Sequence, residues 1–157
     1  MRRVGCIVLI SLLGMIVPAR AETESLDFVR KDNQTRGPRG SQFMWGALAR
    51  DRVELRELWE RYQQRGPLPT IRFERNVAIL AGTRGSSSCP SILHDLRLNR
   101  ERKRVVVRMY QLDPGDGACT DDWIPRTFTV AVARADLKPL AIAEIRVRPR
   151  RIDDPDS

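Results

Sequence analysis

Three segments in the second half of the chain place an apolar residue at every other position. They are Val105, Val107 and Met109 in 104–112, Phe128, Val130 and Val132 in 127–133, and Ala143, Ile145 and Val147 in 141–148. A strand turns successive side chains to opposite faces, so a period of two describes a strand with one face in a core and the other in water. Strands of that kind belong to antiparallel sheets. The continuous apolar run at 77–81 reads as a further strand. The segment 92–98, with Ile92, Leu96 and Leu98 apolar, reads as another; if Ile92 and Leu96 point inward, His94 shares their face and Asp95 faces the other way. The segment 41–48 reads as the strand that opens the folded domain.

One stretch has a different period. In 51–64, Leu55, Leu58, Trp59 and Tyr62 recur at the helical spacing i, i+3, i+4, i+7. Asp51 precedes it as an N-cap, and Glu54 completes a D-x-x-E capping box. Gly66 and Pro67 follow as a stop. The expected fold is therefore α+β: a mostly antiparallel sheet or small sandwich, with one N-terminal helix packed on it by its apolar stripe.

The ends of the chain read differently. Arg2 and Arg3 precede an uncharged apolar run at 4–17, then Pro18 and an A-x-A site at Ala19-Arg20-Ala21. That order is a secretory signal peptide over 1–21, cleaved to leave Glu22 first. The run is shorter than the roughly 20 residues a membrane span needs. No stable membrane insertion is expected after cleavage, and the protein is expected to be exported, periplasmic or extracellular. Residues 22–40 are polar and rich in turn formers, and read as a flexible arm. Residues 149–157 read as a charged tail.

Loss of Arg2, Arg3 and Arg20 with the leader takes the formal net charge from +8 to +5. A basic exported chain favours anionic partners such as cell-surface polymers or lipids. The arginines Arg146, Arg148, Arg150 and Arg151 form the densest cluster, but no aromatic residue is interleaved with them. With export, that argues against nucleic acid. Cys6 also leaves with the leader. Cys89 and Cys119 remain, and an even count in an exported chain reads as a disulfide. Its loop of about 30 residues lowers unfolded-state entropy by ~3.6 kcal/mol in the chain-entropy account.

The chemistry-bearing residue types gather in one place. Gly82, Arg84, Gly85, Ser86, Ser87 and Ser88 run up to Cys89, with His94 and Asp95 close behind. Serines beside the only histidine of the chain raise a hydrolase reading. No G-x-S-x-G elbow is present, and neither G-x-x-x-x-G-K-[ST] nor G-x-G-x-x-G occurs. Asp113, Asp116, Asp121 and Asp122 could offer oxygen ligands to a cation, yet their spacing departs from an EF-hand loop. No catalytic residue, metal or cofactor is assigned. The stretch is instead expected to be a contact loop, with glycines for turns, Arg84 for bidentate pairing and serines for hydrogen bonds.

A family resemblance agrees with that reading. The helix residues Leu55, Leu58 and Trp59 are followed by Pro67-Leu68-Pro69-Thr70-Ile71-Arg72-Phe73. Asn76-Val77-Ala78-Ile79-Leu80-Ala81-Gly82-Thr83-Arg84-Gly85-Ser86 comes next, and later strands carry Val105-Val106-Val107 and a proline at Pro125. This layout resembles the PrcB-like family of exported bacterial proteins over about 41–132, within a single globular domain expected at 41–148. Gly82, Arg84 and Ser86 match the family pattern G-x-R-x-[ST]-G-G-Y. Ser87-Ser88-Cys89 stands where Gly-Gly-Tyr would, so the contacts of that tyrosine do not carry over. The resemblance implies an exported, non-enzymatic protein-interaction module, accessory to a protease or envelope complex. The alternatives are a serine/histidine hydrolase using His94, and an arginine-mediated binder of anionic envelope components.

Overall fold

The computed structural model describes residues 23–35, 44–112, 118–138 and 144–151. The expected leader at 1–21, the cation candidates Asp113 and Asp116, and the end of the tail at 152–157 lie outside the described residues. Two four-stranded sheets pack face to face. The first has the order β1(Thr23–Leu26), β5(Ser91–Asn99), β6(Arg104–Gln111), β8(Glu144–Arg151). The second has the order β2(Phe28–Gln34), β7(Ile124–Ala133), β4(Asn76–Gly85), β3(Trp45–Ala49). The helix α1(Arg52–Arg61) and a single turn, α2(Arg134–Leu137), complete the described elements. The mostly β architecture with one packed helix is the one the sequence pattern describes.

The residues that alternate are those that fill the interior. Val105, Val107 and Met109 of β6 meet Phe128, Val130 and Val132 of β7 between the sheets, joined by Leu96 and Leu98 of β5 and Val147 of β8. Each such side chain contributes about 1.5–3 kcal/mol when fully withdrawn from water.

Four expectations are corrected here. The segment 22–40 was expected to be a flexible arm, yet its described part supplies β1 and β2, one edge of each sheet. An edge strand with one wet face needs few apolar anchors, and Leu26 and Phe28 suffice. The tail at 149–157 loses 149–151 to β8. That strand pairs with β6 in parallel, where antiparallel pairing was expected. Period-two alternation reports burial of one face and carries no strand direction. In β5 a bulge between Leu93 and Asp95 shifts the register. Leu93 and Leu96 are buried and Ile92 is exposed, so the facing that would put Ile92 inward together with Leu96 does not occur.

The helix covers the outer face of the β2–β7–β4–β3 sheet. Asp51 caps it by accepting from the amides of Val53 and Glu54, at 2.8 Å each. Glu54 reaches back to the Arg50 amide at 2.7 Å. Leu55 and Trp59 are buried against Ala78 and Leu80 of β4, and Leu68, Ile71 and Phe73 extend the cover. The helix stops at Tyr62 because Gln63 turns left-handed (φ 54°), and Gly66 takes a positive φ (80°) shortly after.

Tyr62 stacks on Trp45 of β3, with ring centroids 3.5 Å apart and planes 8° from parallel. The Trp45 indole lies directly over Gly82, where a Cβ would overlap its Nε1. Gly82 is thus required by close approach of a ring and not by a turn. Gly82→Ala should lower stability by about 1–3 kcal/mol, the usual range for overpacking. Urea unfolding followed by tryptophan fluorescence measures it; an unchanged midpoint would contradict the packing.

Candidate functional site

Of the six residues expected to form a contact loop, three belong to a strand. Gly82, Arg84 and Gly85 lie in β4, in register with Thr127, Pro125 and Ile124 of β7. Gly82 and Gly85 are buried and Arg84 is half-buried. Gly85 is held close to the backbone of Cys89 and Ser91, the far side of the β4–β5 connection. The loop proper begins at Ser86 and is only five residues long, 86–90.

Its serines are engaged in holding a second loop. Ser86 is buried, and its Oγ accepts from the Cys89 amide at 2.9 Å, which closes the turn. Ser88 Oγ accepts from the Thr120 amide at 2.8 Å. The Ser87 amide donates to Asp122 Oδ1 at 3.1 Å. Thr120 donates its hydroxyl hydrogen to the same Asp122 oxygen. Its Oγ1 is therefore left to accept from Ser87 Oγ and Ser88 Oγ, at 3.0 and 3.1 Å. The expected disulfide is present: Cys89, fully buried, is bonded to exposed Cys119, with Cα atoms 5.5 Å apart. One covalent bond and a serine–threonine–aspartate network thus tie 86–89 to 119–122.

His94 is elsewhere in its bonding. It is exposed on β5, and its ring meets Tyr110 edge-on with centroids 4.5 Å apart. Among the described residues no hydrogen bond joins His94 to Ser86, Ser87 or Ser88. Asp95 turns to Arg108, which grips it with Nε and Nη2, and to Arg97 Nε at 2.8 Å. Burial pushes the Asp95 carboxyl up, but the hydrogen bonds from Arg108 and Arg97 outweigh it and hold the group below its usual value. Asp121 and Asp122 are exposed, and no group of three acidic, cysteine or histidine side chains able to hold a metal occurs among the described residues.

The side chain that the sequence reading passed over is Trp123. It directly follows the tied segment and is 63% exposed, an unusual setting for an indole. Leu112 and Ile92 are each 37% exposed at the same end of the sandwich. Leu112 is fixed there by its amide, which donates to the Pro90 carbonyl at 3.1 Å. The signal was present in the sequence as a tryptophan flanked by Asp121, Asp122 and Pro125, away from any apolar period. Among the described residues, no helix is long and apolar enough to cross a membrane. Comparison with family models, with curated proteins and with solved structures finds no match to this chain.

Asp122 offers a direct check on the tie. The hydroxyl of Thr120, then the amide of Ser87, lower its carboxyl to about 2. The folded value lies below the unfolded one, so the contribution of this group to stability is complete above about pH 4 and is lost as pH falls toward the folded value. A carboxyl-detected NMR titration should place Asp122 near 2. A midpoint at the ordinary aspartate value of about 3.9 would mean that the network does not form in solution.

Proposed function

We propose that the chain is an exported, non-enzymatic protein-interaction module, accessory to a protease or envelope complex, whose contact surface is the disulfide-tied end of the sandwich. The observation that carries the reading is the exposure of Trp123 beside a loop pair that is already fastened. Tryptophan is enriched among the residues that dominate binding energy, because a rigid indole buries a large area with few rotatable bonds. Holding the loops in place before contact removes much of the ordering cost of association. Leu112 and Ile92 extend the apolar part, and the hydroxyls of Ser87 and Ser88 supply a polar rim.

The disulfide supports the extracytoplasmic part of the reading, since such bonds persist in oxidising compartments. The leader expected at 1–21 agrees with it. The resemblance to the PrcB-like family, carried by the residues named above, supports the protease-accessory part. Relative to the contact loop expected from the sequence, the proposed surface moves outward. Gly82 and Gly85 serve packing, Ser86 closes a turn, and contact falls to Ser87, Ser88 and Trp123.

The test is affinity capture from the native envelope fraction, followed by measured affinity for the captured protein. Trp123→Ala should weaken binding by about 2 kcal/mol or more, the loss typical of a dominant interface residue. Its unfolding midpoint should stay unchanged. Undiminished capture by this variant would reject the surface, and a turnover abolished by Ser87→Ala or His94→Ala would favour a hydrolase.

A further inference from the structure

The disulfide joins two segments of opposite character. Cys89 is fully buried, in a turn between β4 and β5 that buried Ser86 closes. Cys119 lies in 118–123, where every residue is exposed and none belongs to a helix or strand. No side chain of that segment is therefore anchored in the core. It is fastened at Cys119 by the disulfide, and at Thr120 and Asp122 by hydrogen bonds to Ser87 and Ser88. Exposed hydrogen bonds compete with water, so they add little unless something else keeps their partners together. The strands around the tie have ladders of their own, β4 with β7 and β5 with β6.

The two sulfur atoms differ in access. Burial of Cys89 leaves Cys119 as the side from which an external thiolate reaches the bond. Attack there sends the electron pair of the broken bond to Cys89. Ser88 Oγ lies 3.8 Å from Cys89 Sγ. In the oxidised protein the Ser88 hydroxyl is directed at Thr120 Oγ1. Departure of Thr120 releases that hydroxyl to donate to the new thiolate. Gln111 Nε2 stands 3.9 Å from Cys119 Sγ. A hydrogen-bond donor thus lies beside each sulfur, and a stabilised thiolate is the better leaving group.

We propose that Cys89–Cys119 is a redox latch, opened by a dithiol reductant through Cys119, and that opening releases 118–123 with Trp123 while the two sheets stay folded. One thiolate of the reductant bonds to Cys119 Sγ as the S–S bond breaks, and Cys89 leaves as a thiolate that takes up a proton. The second thiol of the reductant, deprotonated, attacks its own sulfur in the mixed disulfide. Cys119 leaves as a thiolate and is protonated in turn, and the reductant departs as a disulfide. The electrons and protons that the dithiol loses are those the two cysteines gain. The inference rests on the contact-surface reading for its consequence, since a released segment raises the ordering cost of contact through Trp123. The latch itself is tested without a partner.

Glutathione maps the point of entry, and dithiothreitol serves as the dithiol, both applied to the full chain under native conditions. After brief exposure to glutathione and an acid quench, peptide mass spectrometry should find the mixed disulfide on Cys119 in about tenfold excess over Cys89. In the dithiothreitol-reduced protein, amide exchange at Ser87 and Thr120 should accelerate by about tenfold or more, while 77–81 and 128–132 remain protected. The Asp122 titration should move from about 2 toward the ordinary value of about 3.9. Reoxidation should restore each reading. Cys119→Ser, a change at an exposed position, should show the released state with no reductant present. Entry at Cys89, unfolding of the sheets on reduction, or unchanged protection at Ser87 and Thr120 in the reduced protein would each overturn the latch. Loss of partner capture by Trp123 bears on the contact surface alone, because none of these readings uses a partner.

Discussion

The structure depends on one strand being dry on both faces. In β4 the residues Val77, Ile79 and Ala81 enter the space between the sheets, and Ala78 and Leu80 lie under the helix layer. A strand with two buried faces needs two covers. The β1–β5–β6–β8 sheet is one, and α1 with Leu68, Ile71 and Phe73 is the other. That need explains why the helix carries an apolar stripe and why β3 brings Trp45 across to Gly82. It also fixes the position of the loop that follows, because the last residues of β4 are still paired with β7 at Gly85 and Ile124.

Rigidity at that end has two independent sources. The disulfide limits how far 89 and 119 can separate in any state of the chain. The hydrogen bonds from Ser87, Ser88 and Thr120 set the mutual orientation of the two segments, which a single covalent link does not. Individually exposed hydrogen bonds contribute little to net stability, about 0.5–1.5 kcal/mol each. Their value here lies in interlocking: Ser87 and Thr120 both donate to Asp122 while Ser88 holds Thr120, which orients the segment leading to Trp123.

Much of this was legible in the sequence, and the misreadings have specific causes. Phe128, Val130 and Val132, like Val105, Val107 and Met109, announced their inward faces through strict alternation. Asp51 and Glu54 announced the helix start. The cysteine pair was readable from the even count left once the leader expected at 1–21 was set aside. Gly82-Thr83-Arg84-Gly85 was misread because two glycines and a charge mimic a turn. The strand continues through them since Gly82 makes room for a ring that is distant in sequence, and no local pattern reveals that. The first strands looked like an arm because β1 buries only Leu26 and β2 contributes only a partly buried Phe28. The direction of β8 and the bulge after Leu93 were hidden because alternation carries neither direction nor register. The roles of Ser87, Ser88, Thr120 and Asp122 depend on contacts across more than thirty residues, while residue type alone suggested catalysis or a cation.

Amide hydrogen exchange, resolved by residue in the oxidised protein, tests the central claim that the GTRG stretch is a strand and the serines form a tie. The account predicts that those amides of 82–85 directed at a neighbouring strand exchange as slowly as those of 77–81. It also predicts measurable protection at Ser87, Cys89 and Thr120, whose amides donate to Asp122, Ser86 and Ser88. Rapid exchange throughout 82–89, at the rate of an open loop, would contradict it.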